Sequence, residues 1–181
     1  MRPWKTLERR VLLSRKPWLE VGDEKIELPD GRVIDGYPYV RSRDYAVIVA
    51  VRDDGEIALL RSYRHGPRNE QLELPAGVIE EGESPLAAAK RELREETGYE
   101  ADGWAALGSH TVHANYGVGT QHSFIARGLK KVAEPHSGDL EETTLEFVSL
   151  ADALASLDRG EIGILSSAAA LAFAALRLRP S

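Results

Sequence analysis

Three glutamates in the middle of the chain, Glu92, Glu95 and Glu96, are three and four residues apart, the spacing that puts side chains on neighbouring positions of one helix face. Two like charges about 6 Å apart repel by roughly 2–3 kcal/mol at an effective dielectric near 20, so the cluster is unfavourable without a cation. Mg²⁺, or Mn²⁺ as the alternative, reverses that balance, because such hard ions take carboxylate oxygen, water and phosphate oxygen together. The chemistry favoured is metal-assisted attack of water on phosphorus. Lys90, Arg91 and Arg94 interleave with the acids, and Arg91 with Glu95 makes an i,i+4 pair. Taken alone, residues 90–96 therefore also read as an ordinary salt-bridged solvent face.

A helix must carry these residues, and its ends are marked. Ser84 is a good N-cap, and Pro85 suits the first helical position because its missing N–H would be unpaired there anyway. Gly98 can adopt the left-handed conformation needed just past the C-terminus. Leu86, Ala89 and Leu93 fall at helical spacing and predict an apolar stripe. Two hairpins are predicted ahead of the helix: 18–28 with 32–39 around Pro29-Asp30-Gly31, and 45–51 with 57–60 around Asp53-Asp54-Gly55. Behind it come strands near 104–112, 121–127 and 144–148, then helices near 151–157 and 167–178. This order predicts an α+β fold, a mixed sheet packed between helices.

The 181 residues, 43% apolar and 29% charged, suit one catalytic domain with a small appendage. A formal charge of −6 argues against a nucleic-acid surface, so an anionic substrate needs its positive charge from elsewhere. The early charged residues lack a secretory hydrophobic segment and no apolar run is long enough for a bilayer, so the expected location is the cytoplasm, with no membrane partner. The absence of cysteine excludes disulfides and thiolate zinc sites. His110 and His113, at odd spacing along an expected strand, fall on opposite faces and do not suggest zinc. Neither a Gly-x-Ser-x-Gly elbow nor a phosphate-binding P-loop occurs.

The frame around the acids is more specific. Gly77, five residues, Glu83, seven residues, then Arg91-Glu92-Leu93-Arg94-Glu95-Glu96-Thr97-Gly98-Tyr99 resembles the box of the Nudix hydrolase family. Seven Gly, Glu and Arg positions coincide by chance on the order of 10⁻⁸ per window. Tyr99 stands where the family usually has an aliphatic residue, a packing position. The resemblance implies an α/β/α sandwich, and hydrolysis of a nucleoside diphosphate linked to another group. It implies Glu92 and Glu96 as principal metal ligands, Glu95 sharing the cluster, and Arg91 orienting a carboxylate. Asp139, Glu141 and Glu142 lie in a turn-rich stretch where similar enzymes carry a further base. Glu142 is the candidate, and a solvated acidic loop is the alternative reading.

Arg61-Ser62-Tyr63-Arg64-His65-Gly66 with Glu73-Leu74-Pro75-Ala76-Gly77 is similar to the branch that cleaves ADP-ribose and other nucleoside diphosphate sugars. That likeness implies Mg²⁺ held partly by the Ala76 carbonyl, and substrate contacts from Arg64 and Val78. Arg43 and Arg64 could clamp phosphate or stack on a base, with Trp18 a further aromatic candidate; ordinary packing is the other role for all three. The branch implies an N-terminal antiparallel strand pair, residues 1–42, that builds a homodimer, ahead of a catalytic domain at 43–181. The loop His113-Ala114-Asn115-Tyr116-Gly117-Val118-Gly119-Thr120 lacks the proline usual in ADP-ribose cleavers, which leaves the sugar open. Gly117 and Gly119 would permit either close approach to a ligand or a flexible loop. Alternatives to sugar-nucleotide hydrolysis are a pyrophosphatase for nucleoside triphosphates or dinucleoside polyphosphates, and a non-catalytic nucleotide-sugar sensor.

Overall fold

The reversal predicted at Pro29-Asp30-Gly31 joins two strands of a three-stranded antiparallel sheet: β1 (Lys5–Arg15), β2 (Leu19–Glu27) and β3 (Val33–Ser42), paired in that order. The computed structural model describes residues 1–136, 138 and 142–178. Strand β1 turns the predicted pair into a trio. Every residue of β1 is exposed, so no alternation of buried and polar side chains marks it in the sequence. Ion pairs cross its ladder instead, Arg9 to Glu24 at 2.5 Å and Arg10 to Asp23 at 2.7 Å.

Contacts divide the chain into one unit of Met1–Asp44 with His110–Thr120, and another of Tyr45–Ser109 with Gln121–Ser181. The excursion at 110–120 thus belongs with the first sheet. Within it, the Val40 N–H donates to the Tyr116 carbonyl at 3.0 Å, and His113 stacks on Tyr116 at 4.4 Å. Gly119, at φ +66°, runs so close to the Arg43 backbone that a Cβ would lie 2.8 Å from its carbonyl oxygen. The glycine therefore serves a close crossing of the chain with itself.

The remaining elements are β4 (Tyr45–Val51), β5 (Ile57–Arg64), β6 (Asn69–Glu73) and β7 (Ala76–Val78), then α1 (Pro85–Thr97), β8 (Tyr99–Thr111), β9 (Thr120–Lys131), β10 (Thr143–Val148), α2 (Leu150–Asp158) and α3 (Leu165–Leu178), all in the second unit save residues 110–111 of β8 and Thr120 of β9. The sheet order is β10-β5-β4-β9-β8, with β6 on β5 and β7 on β4. Strand β4 runs parallel to β9 and antiparallel to β5 and β7, so the sheet is mixed. Strand β8 ends at Thr111, so His113 lies beyond the strand that carries His110. The opposite-faces reading of that histidine pair assumed one continuous strand.

Side-chain alternation along β4 builds two cores. Val47, Val49 and Val51 pack with Ala153 of α2 and Ala170, Leu171 and Ala174 of α3. Ala46, Ile48 and Ala50 face the other way and pack with Ala88, Ala89 and Leu93 of α1. Helices on both faces make the α/β/α sandwich. They explain why β4 reads as a continuous apolar run, since a strand covered on both sides has no solvent face. The buried stripe of α1 is Ala88, Ala89 and Leu93; Leu86, predicted to join it, is 37% exposed. Tyr99 packs edge-on against Phe147 at 5.5 Å, a packing role as read from the sequence. Among the described residues no helix is long and apolar enough to cross a membrane.

Candidate active site

Helix α1 starts and stops as its sequence dictates. The Ser84 hydroxyl accepts from the Ala87 N–H at 3.2 Å with Pro85 following, and Gly98 at φ +76° donates its N–H to the Arg94 carbonyl. A Cβ on Gly98 would lie 2.2 Å from the Ala133 carbonyl oxygen, so packing as well as dihedral selects glycine here. These fixed ends set the rotation of the helix, which turns Glu92 and Glu96 toward β7.

Strand β7 pairs with β4 through Ala46 and Gly77. A Cβ on Gly77 would lie 2.0 Å from Cδ of Glu92, so the Glu92 carboxylate occupies the space that any other residue would fill. One turn on, Glu96 is 8% exposed, and its Oε2 accepts from the Ala76 N–H at 2.8 Å. Two carboxylates of α1 are therefore anchored to consecutive residues of one short strand.

Arg91 ties the remaining acids together. Its Nε and Nη2 donate to the two oxygens of Glu83 at 3.1 and 3.0 Å, and Nη1 donates to Glu92 at 2.6 Å and Glu95 at 3.0 Å. Nη2 also reaches the Val78 carbonyl at 2.9 Å. The Arg91 hydrogen bond holds the Glu83 carboxyl below its usual range, and the same bond is the chief cause of the raised Arg91 pKa; burial opposes both shifts. The i,i+4 pair between Arg91 and Glu95 exists, yet the arginine belongs to a partly buried network rather than to a solvent face.

The candidate donors are all oxygens, on Glu92, Glu95, Glu96 and the backbone of Ala76. Among the described residues, no three His, Cys, Asp or Glu side chains are grouped to hold an ion by themselves. A hard ion such as Mg²⁺ needs only one or two protein carboxylates, because water and substrate phosphate complete its octahedron. The Glu92 carboxylate cradled at Gly77 and the Glu96 carboxylate beside Ala76 fit that demand.

The other sequence candidates are carried by other elements of the chain. Arg64, at the end of β5, donates from Nε to Glu73 at 2.5 Å. Arg43 belongs to the N-terminal unit, where its guanidinium lies 5.9 Å from the Trp18 ring centroid. Glu142 is exposed immediately before β10, and Asp139 and Glu141 lie outside the described residues. A cleft of about 710 Å³ beside Arg91 and Glu95, lined also by Lys90, Arg94, Trp104 and His136, escaped the sequence reading because the 133–136 chain forms part of its wall. Glu73 carries no role in the sequence pattern; its signal is an acid between the buried Leu72 and Leu74.

Comparison with known proteins places this chain in a family. The NUDIX domain model matches residues 41–166, and the nucleoside diphosphate sugar hydrolase N-terminal domain model matches residues 4–40. A methanol dehydrogenase activator of Bacillus methanolicus is 33% identical over 147 residues, 81% of this chain and 76% of that one. ADP-ribose pyrophosphatases of Bacillus subtilis (strain 168) and Mycobacterium tuberculosis are 29% and 31% identical, covering 96% and 77% of this chain and 93% and 68% of theirs. A crystal structure of an ADP compounds hydrolase superposes with a TM-score of 0.81 over 98% of this chain and 95% of that one, at 22% identity, a likeness of fold. The box geometry and a domain match spanning more than half of the sequence agree: the chain belongs to the Nudix hydrolase family.

Proposed function

We propose that this protein hydrolyses the pyrophosphate bond of a nucleoside diphosphate sugar, ADP-ribose or a close analogue, to a nucleoside monophosphate and a sugar phosphate. The observation that carries the reading is the anchoring of Glu92 against Gly77 and of Glu96 on the Ala76 amide, which aims two fixed carboxylates at one strand. The N-terminal domain match and the ADP-ribose pyrophosphatase relatives support the substrate class. The reaction is placed in the cytoplasm.

In this reading Glu92 and Glu96 with the Ala76 carbonyl would be the principal ligands of Mg²⁺, or of Mn²⁺ in its place, and Glu95 would share the cluster. Such an ion would supply charge neutralisation of the diphosphate and a lowered pKa for the attacking water. Arg91 holds Glu92 and Glu95 in register and keeps their mutual repulsion tolerable until the cation arrives. Arg64 and the Val78 segment contact the substrate. Glu142 accepts the proton as water oxygen bonds to phosphorus, and the leaving phosphate departs with the electron pair of the broken P–O bond.

Strand β1 supports a homodimer. Leu7, Val11, Leu12 and Leu13 are 41–70% exposed along one strand, four large apolar side chains that a partner strand or sheet would cover. The deciding experiment is a panel of nucleoside diphosphate sugars, nucleoside triphosphates and dinucleoside polyphosphates assayed with Mg²⁺ and with Mn²⁺, for the parent and Glu96→Gln. Preferred turnover of a sugar nucleotide, lost in the variant, is expected. Equal rates in parent and variant remove the ligand assignment, and tight binding without cleavage makes the protein a sensor.

A further inference from the structure

Strands β5 and β6 carry a partly buried ion pair, Arg64 with Glu73, in which the proposed chemistry uses the arginine and leaves the carboxylate without a role. Leu60 pairs with Glu73 and Ser62 with Gln71, so Glu73, Ser62 and Arg64 share one face of the sheet. Glu73 is 7% exposed and lies between Leu72 and Leu74, both buried. Its Oε1 accepts from the Ser62 hydroxyl at 2.9 Å and from Arg64 Nε at 2.5 Å. Arg64 is the more exposed partner, with 32% of its side chain accessible against 9% for Glu73.

Stability alone is a poor reason for this arrangement. Burying a carboxylate costs several kcal/mol, and replacing a buried ion pair by apolar residues of similar volume is often neutral or stabilising. What the carboxylate supplies is direction. The guanidinium is planar, so fixing Nε on a buried, doubly hydrogen-bonded oxygen fixes the direction of both Nη groups. The same segment continues through Leu74 and Pro75 to Ala76, whose N–H is held by Glu96. The residue that orients Arg64 and the residue beside the carboxylate cluster are thus three apart on one short segment, itself fixed by the Ile48 N–H donating to the Pro75 carbonyl.

We infer that Glu73 is a positioning residue of the active site, aiming the Arg64 guanidinium at an anionic group of the substrate. The inference rests on the reading that Arg64 contacts the nucleoside diphosphate sugar. Losing Glu73 then weakens substrate binding while leaving the hydrolytic step intact.

The test is steady-state kinetics of the full chain with Mg²⁺ and the best sugar nucleotide of the panel. Arg64→Lys, which keeps the charge but loses the planar fork, and Glu73→Gln are each expected to raise KM about tenfold with kcat within about twofold, the scale of one charge-assisted hydrogen bond. The double variant is expected to add less than about twofold to either single one, because both remove the same contact. Glu73→Asp keeps the charge and shortens the tether. It serves if the glutamine variant melts early, with a KM rise of at least about threefold in a folded protein. A folded Glu73 variant with unchanged KM overturns the inference, and if Arg64→Lys raises KM in that case, the Arg64 contact survives. Unchanged KM in Arg64→Lys removes that contact and the inference together, while hydrolysis by the parent still stands as a separate result.

Discussion

Cδ of Glu92 lies 2.0 Å from the point where a Cβ of residue 77 would be, so these two residues exclude one another at any size larger than glycine. Gly77→Ala is expected to push the Glu92 carboxylate off the strand. Because residue 77 lies in extended strand rather than at positive φ, the backbone itself accepts alanine. Activity is expected to fall by about a hundredfold, near 2.7 kcal/mol of transition-state stabilisation, while the thermal midpoint moves little. Measuring kcat/KM beside a thermal melt checks this; full activity would show that the close approach of Glu92 is dispensable.

Arg91 bridges three acids, Glu83, Glu92 and Glu95. Removing it as Arg91→Ala leaves those carboxylates facing one another, for a loss of about 3 kcal/mol, at the low end for buried pairs because a quarter of the arginine is accessible. Millimolar Mg²⁺ is expected to return part of that loss by replacing the missing cation. Urea titrations with and without the metal read both effects, and a variant as stable as the parent without metal contradicts the proposed load.

Metal removal should separate activity from folding. Both cores are apolar and neither depends on an ion: one is built from β4 with α2 and α3, the other from β4 with α1. Excess chelator is expected to abolish hydrolysis and to shift the thermal midpoint by less than about 2 °C. Activity that survives exhaustive chelation removes the metal from the reading.

The exposed β1 strand predicts the oligomeric state. Leu12 is 70% exposed, so Leu12→Glu costs a lone chain almost nothing, yet it would place a charge inside an interface built on that strand. Sedimentation is expected to show a dimer for the parent and a monomer for the variant, with identical circular dichroism. A parent that sediments as a monomer at all concentrations ends the proposal.

The Arg159 hydrogen bond holds the Glu161 carboxyl down at about 2. A depressed carboxylate pKa stabilises the fold above its unfolded value near 4.3, and the contribution disappears as pH falls through the folded value. The difference in thermal midpoint between the parent and Glu161→Gln is therefore expected to be constant from pH 6 to 8 and to shrink from about pH 4.3 toward 2. It should be small throughout, since the pair is exposed. A difference that grows on acidification reverses the assignment.

The sequence by itself determined what depends on near neighbours along the chain. Ser84, Pro85 and Gly98 mark the ends of α1, the run at 45–51 is the central strand, and the spacing of Gly77, Glu83 and Arg91 to Glu96 identifies the family and the oxygen-rich chemistry. Each of these is local, encoded in dihedral preference or in the 3.6-residue helical period. Only the tertiary structure decided which distant groups meet. It cradled Glu92 on Gly77, paired Glu96 with the Ala76 amide, tied Arg64 to Glu73, and assigned 110–120 to the first sheet. Strand β1 was illegible because a strand with no buried side leaves no alternation. The Arg64 pair was illegible because strand register, rather than sequence distance, sets which side chains touch across a sheet.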